Sequence, residues 1–506
     1  MMTSHATRPA LRRAAASAFA LLAGTGAAMA DVTPAEVWAD WQAYLTDFGF
    51  DVTATETEVS NGLQLTDIVM TQTLPEGAGT TTISFSELTM RGNGDGTVAV
   101  VYPAEMPIKV SATGPENFDL DLLYRSNDIS TTVSGDPSEM TYETRAASIG
   151  IDVTELTAED TRIDLGETGL EMQDLTSRTV MSIEGGRSAA QVVTAGLTSY
   201  DFAMTDPEGQ PFEVSGEIER IEMTGDFAIP EGADMNDMTA ALAQGFKVNG
   251  DYRFGPGRGT FRGGAEGAVT TGETTSEGGT LNLRMDETGI AYGGTSDGST
   301  ASITIPQLPV PMSMAIDQSS FEAAVPLIQS GEPQPMALSF LLGGVTLGDN
   351  VWAMFDPQGI LPRDPATVEL DLDGMATVLA DLMDPAAMLD ADDEAPFTLN
   401  ALTLNRLLVS LAGAELTGEG DVTFEGAPTE AFDMPAPVGS ASFVLTGANA
   451  LLDKLVEAGL LGQENAMVAR MTLGGVAVAG EGEDTLKSDI EFTEGGGIVV
   501  NGMRMK

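Results

Sequence analysis

The sequence predicts an α+β fold that is mostly β, in which a long, twisted and curved antiparallel sheet carries a few packed amphipathic helices. Three observations predict this fold. Stretches that alternate apolar and polar residues recur along most of the chain, Gly-, Asn- and Asp-rich turns separate them, and helical spacing is confined to short segments. Many short strands with few helices are typical of a mostly antiparallel architecture.

The first thirty residues predict a secretory signal peptide. Three arginines precede an apolar run that is too short for a membrane-spanning helix of about 20 residues. The run ends in Ala28-Met29-Ala30, a small-x-small pattern that signal peptidase accepts, and Asp31 follows. We therefore expect export to a periplasm, with cleavage after Ala30.

The segment from Asp31 to Phe48 predicts an amphipathic helix. Thr33 is a favourable N-cap, Pro34 suits the first helical position, and Gly49 ends the pattern. Apolar residues then recur at helical spacing on one stripe, which is typical of core packing. The stripe consists of Val37, Trp38, Trp41, Tyr44, Leu45 and Phe48.

From Val52 onward the pattern changes to the alternation of strands. It is clearest in 81–90, 96–102, 106–110, 213–223, 280–285 and 415–424. Four further segments have helical spacing, namely 235–246, 317–329, 374–383 and 449–458. The glycine-rich stretch 255–279 predicts a series of turns or bulges.

The segment Pro306–Pro311 contains three prolines, which prevent a regular central strand. We therefore divide the chain into the signal peptide (1–30), an N-terminal β-rich half (31–305) and a C-terminal β-rich half (306–506). One continuous elongated unit formed by both halves is compatible with this division.

Composition restricts the partners. The chain holds 76 acidic and 23 basic residues, a net charge of −53, and no cysteine. Such a surface repels phosphate, so we predict no nucleic-acid partner, and unaided docking on anionic lipid headgroups is disfavoured. Without disulfides, the fold depends on its core. Composition leaves the oligomeric state open.

Absent residue types exclude much catalysis. The only histidine, His5, lies in the predicted signal peptide, so the chain from Asp31 onward lacks imidazole and thiol. This excludes Ser-His-Asp triads, Cys-His pairs and zinc sites with His or Cys ligands. No serine precedes a lysine at Ser-x-x-Lys spacing, and 255–259 lacks the spacing of a phosphate-binding loop. We predict a non-enzymatic protein, assign no catalytic, cofactor-binding or metal-ligating residue, and predict no cofactor.

Two chemistries that need only oxygen ligands stay open. Paired carboxylates could hydrolyse a glycosidic bond. The acidic loops 93–95 and 390–394 could bind calcium, although neither completes an EF-hand loop. Chance acids and solvated loops are the simpler interpretation in so acidic a chain.

Methionines are frequent in the predicted strands. They are either adaptable core fillers or the lining of a soft apolar groove for acyl chains. The residues concerned are Met70, Met90, Met172, Met204, Met223, Met285, Met312 and Met314.

Several motifs of the second half resemble the family called domain of unknown function 2125. They are Trp352–Pro357, Leu361–Thr367, Ala414–Phe424, Leu451–Leu461, Glu483–Ser488 and Asn501–Arg504. The resemblance implies an exported alphaproteobacterial envelope protein and carries no functional residue with it. The motifs themselves indicate architecture: Pro362 and Pro365 bracket a turn in which we expect Arg363 and Asp364 to pair, and Asn501-Gly502 predicts a hairpin turn.

Together these observations predict a periplasmic envelope protein that binds lipid or another apolar envelope ligand in a sheet-lined groove. The alternative is an envelope scaffold that engages another envelope protein through a sheet edge or an acidic face. A carboxylate-dependent glycan hydrolase is the third hypothesis.

Overall fold

The fold is described by a computed structural model that covers residues 31–74, 79–114, 117–159, 161–206, 209–235, 237–265, 267–308, 310–383, 396–428 and 435–505. Strands account for 64% and helices for 12%, with one large antiparallel sheet and five helices among these residues. The predicted fold class is therefore confirmed. The signal peptide (1–30) and the acidic loop 390–394 lie outside the described residues.

The helices are α1 (Pro34–Asp47), α2 (Met238–Ala243), α3 (Asp349–Phe355), α4 (Ala448–Glu457) and α5 (Gln463–Val476). The strands of the first half are β1 (Asp51–Val59), β2 (Gly62–Leu74), β3 (Gly79–Gly92), β4 (Val98–Val101), β5 (Glu105–Thr113), β6 (Phe118–Asn127), β7 (Ser130–Asp136), β8 (Glu139–Ala158), β9 (Thr161–Arg162), β10 (Asp164–Leu165), β11 (Gly169–Ser182), β12 (Gly186–Ala195), β13 (Thr198–Thr205), β14 (Pro211–Ile218), β15 (Ile221–Pro230), β16 (Lys247–Phe254), β17 (Gly257–Gly263), β18 (Thr270–Ser276), β19 (Gly278–Asp286) and β20 (Gly289–Thr304). The remaining strands are β21 (Met312–Val325), β22 (Gln334–Leu347), β23 (Ala366–Val378), β24 (Phe397–Leu411), β25 (Ala414–Pro428), β26 (Pro435–Thr446), β27 (Val478–Ala479), β28 (Thr485–Thr493), β29 (Gly497–Val500) and β30 (Met503–Arg504).

The strands form an antiparallel meander in which long strands alternate with pairs of shorter strands that lie end to end. The long β3 pairs with both β4 and β5, and β8 pairs with both β6 and β7. Two sets of shorter strands fill the sheet between β11 and β20. One half of the width of the sheet is formed by β12, β15, β16 and β19, and the other half is formed by β13, β14, β17 and β18. From β20 to β26 each strand pairs with the next.

The proline segment Pro306–Pro311 connects two strands that pair directly. Ile303 of β20 lies opposite Met312 of β21, at the end of the ladder that joins the two strands. The sheet therefore runs without a break from the N-terminal half into the C-terminal half.

Bulges keep the apolar side chains on one face of the long strands. At Gly344 the pairing slips, so that Leu342 lies opposite Val368 while Val345 lies opposite Ala366. Because side chains alternate with a period of two, the extra residue returns Val345 to the face of Leu342. Residues with positive φ occur in the middle of four long strands, at Asp67 (52°), Asp174 (50°), Gly298 (52°) and Gly344 (68°).

Helix α1 covers the first strands and forms the main core with them. Thr33 and Glu36 make a reciprocal capping box, in which Glu36 Oε2 accepts from Thr33 N at 2.8 Å. Val37 and Trp38 of α1 are buried against the sheet. The sheet residues of this core include Leu63, Leu65, Ile68, Leu88, Met90, Val98, Val100, Val133 and Met140.

A buried ion pair attaches α1 to β12. Arg187 donates through Nη1 to Asp40 Oδ1 and through Nε to Asp47 Oδ2, both at 2.6 Å. The Arg187 and Asp40 side chains are only 7% and 8% exposed. Tyr142 donates to Asp40 Oδ2 at 2.8 Å, and burial together with the negative charge of Asp40 raises the pKa of the Tyr142 hydroxyl. Both Asp40 oxygens thus have partners.

Helix α2 covers a second core at one lateral edge of the sheet. Asp237 caps this helix by accepting from Ala240 N at 2.9 Å. The buried members of the core are Ile229, Ala241, Leu242, Phe246 and Leu327.

The structure confirms some predicted elements and corrects others. The helices predicted at 31–48 and 449–458 are α1 and α4, and the one predicted at 235–246 is the shorter α2. The helices predicted at 317–329 and 374–383 are wrong, because β21 occupies most of the first segment and β23 the first half of the second, and each strand has a partner on both sides. Pairing with a neighbouring strand on both edges outweighs the helical spacing of the apolar residues there. The glycine-rich 255–279 contains β17 and β18 rather than only turns, whereas α3 and α5 escaped prediction.

Replacing Arg187 tests the contact between α1 and the sheet. We expect Arg187→Met to lower the free energy of unfolding by about 3–5 kcal/mol, because it leaves the buried Asp40 carboxylate without its cation. Urea denaturation followed by circular dichroism measures the change.

The matched control is Arg178→Met on the neighbouring β11. Arg178 is 60% exposed and lies 3.7 Å from Glu143, so its replacement should cost about 0–1 kcal/mol. Equal losses in the two variants would contradict a special role for the buried pair.

Candidate functional site: an apolar face of the sheet

A row of directly paired residues crosses almost the whole sheet on one face. Since directly opposed residues of antiparallel strands point to the same side, the register alone defines this row. None of its members is charged, and we call it the apolar row. It consists of Leu63, Met90, Val100, Thr131, Thr144, Ser177, Val193, Met223, Tyr252, Leu281, Gly294, Phe321, Phe340, Leu370, Leu407, Gly418, Phe443 and Ser488.

The adjacent row, which points to the opposite face, is rich in charge. Two of its charged members, Arg178 and Glu143, lie 3.7 Å apart as an ion pair. The row consists of Arg91, Ala99, Thr132, Glu143, Arg178, Val192, Thr224, Asp251, Asn282, Gly293, Glu322, Ser339, Asp371 and Arg406. The sheet therefore has one apolar face and one polar face.

The middle of the apolar face is open to solvent. Met223 is 46% exposed, Leu281 45%, Tyr292 48% and Phe340 39%. Isolated exposed apolar residues are ordinary, whereas a contiguous run of them marks a binding surface. Helices α1 and α2 bury the apolar face only at its first strands and at one lateral edge.

A cavity of about 380 Å³ lies on this face where the two halves of the width meet. Phe254 reaches it from the half that carries the apolar row, and Tyr200 and Ile218 reach it from the other half. Tyr252 and Phe254 of β16 stack with ring centroids 5.8 Å apart. The rest of the lining is largely hydroxyl-bearing side chains and glycine, and it includes the ion-paired Arg258 and Glu217.

Large side chains on this face lie over glycines of the neighbouring strand. A Cβ added at Gly418 would lie 2.5 Å from Phe443 Cδ1, and one added at Gly279 would lie 2.6 Å from Phe254 Cζ. Only glycine allows these rings to lie flat across the next strand.

A second cavity of about 330 Å³ lies at the edge of the apolar face, and we call it the edge pocket. Leu347 of β22 and Leu411 of β24 line it from the sheet. Trp352 of α3 and Leu455 of α4 line it from the helices that lie on this edge. Its walls are mostly aliphatic and aromatic.

Asp356 holds the segment that follows α3. It is 1% exposed, and its two carboxylate oxygens accept from Ile360 N at 3.0 Å and Leu361 N at 2.9 Å. Burial raises the pKa of this carboxyl, but the backbone donors and the charge of Arg363 outweigh burial, so that the pKa is lowered. Asp356 therefore stays ionised and fixes the wall that Leu361 contributes to the edge pocket.

The motifs of the second half have structural roles in the described residues. Asp484 accepts from Asn449 N at 3.1 Å and Ala450 N at 2.9 Å, so it caps the start of α4 from a distant loop. Asn501 and Gly502 have φ of 50° and 79° and form the predicted hairpin turn. The expected pair of Arg363 with Asp364 is wrong, because Arg363 donates to Asp349 at 2.9 Å and stacks over Trp352.

The structure distinguishes between the two interpretations of the strand methionines residue by residue. All eight lie on the apolar side of their strands. Met90 is fully buried under α1, as a core filler would be, whereas Met223 and Met314 are 46% and 39% exposed on the open surface. The aromatic stripe of α1 serves core packing through Trp38 and Trp41.

The acidic residues show no metal-site geometry where the structure describes them. Asp95 of the loop 93–95 accepts from the Thr97 hydroxyl and backbone, and the hydroxyl contact lowers the pKa of Asp95. Within the described ranges, no group of three or more histidine, aspartate or glutamate side chains could hold a metal ion.

A third cavity, of about 820 Å³, lies on the polar face among β8, β11, β12, β15 and β16. Glu143 and Asp226 line it, and they engage Arg178 and Asn249 respectively. These two carboxylates thus take part in cross-strand contacts of the polar face.

Comparison of the chain with protein-family models, with characterised proteins and with solved structures finds no match. The resemblance to domain of unknown function 2125 therefore stays a prediction. None of the described helices is both long and apolar enough to cross a membrane.

Apart from methionines such as Met223, the residues that make the site were not predicted from the sequence. Alternation within each strand identifies its apolar side, but the row depends on the register between strands. The edge pocket depends on α3, whose short segment gave no recognised helical signal. The cluster of Trp352, Phe355 and Leu361 in one motif was the available signal for it.

Asp356→Asn tests the electrostatic role of this carboxylate. The ionised form contributes stability that is complete above the unfolded-state pKa of about 3.9 and is lost as pH falls through the lower folded-state pKa. We expect the variant to melt a few degrees below the wild type at pH 7 and to differ less from the wild type at pH ~3, below the unfolded-state pKa. Differential scanning calorimetry at both pH values measures it.

The control is Asp349→Asn, whose carboxylate is 93% exposed, and which should melt close to the wild type at both pH values. A deficit of Asp356→Asn that stayed the same at pH ~3 would show that charge is irrelevant at this position.

Proposed function

We propose that this chain is a non-enzymatic protein of the bacterial envelope that binds the acyl chains of lipids, or another apolar envelope ligand, on the apolar face of its sheet. The observation that carries the proposal is the apolar row: from β2 to β28 it contains no charged residue, and its middle is uncovered. A chain of methylene groups laid on this face gains about 0.8 kcal/mol for each group removed from water.

The shape of the face suits a long and flexible ligand. Strands repeat at about 4.8 Å, so the apolar row offers similar contacts at regular intervals across many strands. Methionines among these contacts adapt to ligands of different shape. The strong negative charge of the chain, −53, favours a ligand whose contacts are apolar rather than a large anionic surface.

The proposed location is the periplasm, and it rests on the sequence of residues 1–30 alone. Export would place the chain where lipids and lipid-linked envelope components are the abundant apolar ligands. Removal of the signal peptide after Ala30 in the secreting cell is the corresponding expectation, and mass spectrometry of the mature N-terminus measures it.

The double variant Phe321→Ser/Phe340→Ser tests the apolar face. The two rings lie opposite each other on β21 and β22, and both are 39% exposed. We expect titration of the mature chain with an apolar fluorescent probe to show at least about tenfold weaker binding, a change of about 1.4 kcal/mol.

The matched control is Val192→Ser, since Val192 is 46% exposed but belongs to the row on the opposite face. It should bind the probe as the wild type does. The proposal fails if the wild type neither takes up the probe nor carries lipid in native mass spectrometry after mild extraction.

A second candidate, an envelope scaffold, is favoured by one observation on α5. Met467, Val468 and Met471 are 64%, 61% and 71% exposed and share one side of this helix. An apolar helix side that is open to solvent fits a groove on a protein partner. A partner crosslinked in cells, and lost when all three residues become serine while probe binding persists, would favour this candidate.

A further inference from the structure

The edge pocket is a continuation of the apolar face rather than a separate cavity. Val345 lines the pocket and lies opposite Ala366, and Ala366 precedes Val368 by two positions on the same side of β23. Leu411 also lines the pocket and remains 55% exposed. A chain that lies on the apolar face can therefore turn into the pocket without crossing polar surface.

The chemistry of the pocket suits the end of a hydrocarbon chain and not a charged headgroup. Trp352, Phe355 and Leu361 are among its apolar walls. The cation at its rim, Arg363, already lies over the Trp352 ring at 5.4 Å and donates to Asp349. Asp364 also lines the rim. An anionic group would thus meet two carboxylates for one engaged guanidinium.

The volume of the edge pocket limits the length of hydrocarbon chain that it can hold. A methylene group is close in size to a water molecule, which occupies about 30 Å³ in the liquid. The volume of about 330 Å³ therefore holds on the order of ten carbons of one chain. The walls are preformed, because Asp356 holds Leu361 and the stacked Arg363 holds Trp352.

We propose that the edge pocket receives the methyl end of a single acyl chain and thereby selects ligands by chain length. The inference rests on the proposed function. It places the methyl end of the ligand in the edge pocket, while the rest of the ligand lies on the apolar face. Its ligand class is a single-chain amphiphile whose headgroup stays outside the pocket.

Ala366→Phe tests the proposal by filling the pocket from β23. The probes are lysophosphatidylcholines with acyl chains of 8, 12 and 16 carbons, kept below their micelle-forming concentrations and titrated into the mature chain. For the wild type we expect affinity to rise about fourfold for each added methylene until the pocket is full, which corresponds to about 0.8 kcal/mol. In the variant we expect each ligand to bind at least about tenfold more weakly than to the wild type, and the rise in affinity with chain length to be lost.

The matched control is Thr367→Phe, which adds the same ring at the next position of β23, on the opposite face. It should keep the length dependence of the wild type. Leu455→Ala provides a second variant should Ala366→Phe fail to fold, because enlarging the pocket should shift the preference toward longer chains.

The outcomes separate the two proposals. If the wild type binds none of the ligands and no apolar probe, the proposed function and this inference both fail. If the wild type binds them but Ala366→Phe keeps the full length dependence, the proposed binding on the apolar face is retained. The edge pocket then does not receive the end of the acyl chain.

Discussion

Directly opposed residues of an antiparallel sheet point to the same side, and the surfaces of this molecule depend on that constraint. Because each strand keeps its register with the next, apolar residues that lie far apart in the chain, such as Met90 and Phe443, belong to one row. Bulges preserve the arrangement where long strands would otherwise change face, as at Gly344. A slip of one residue in any ladder would place charged side chains in the row.

The helices cover the sheet unequally, and this leaves a surface rather than a closed core. Helix α1 buries the first strands and is attached by the pair of Arg187 with Asp40. Helix α2 covers one edge, and α3 with α4 encloses the edge pocket. Between these regions residues such as Leu281 and Tyr292 remain almost half exposed. A buried core at the ends supports an open apolar face in the middle.

Carboxylates have architectural roles in the regions that border this face. Asp356 and Asp484 accept backbone hydrogen bonds, and these bonds lower the pKa of each carboxyl. Asp356 orders the loop behind α3, and Asp484 caps α4 from a loop far along the chain. The acidity of this chain thus serves the walls of the edge pocket as well as solubility.

The sequence by itself determined the fold class, the capped helix α1, the α4 helix and the Asn501-Gly502 turn, because alternation, caps and positive-φ turn residues act over a few neighbouring positions. It also determined which catalytic groups are absent. Only the tertiary structure decided that 317–329 is mainly strand, since partners on both edges outweigh a helical pattern in residues such as Phe321 and Ala324. It alone decided the apolar row and the edge pocket, because register and helix placement join residues that no local spacing relates.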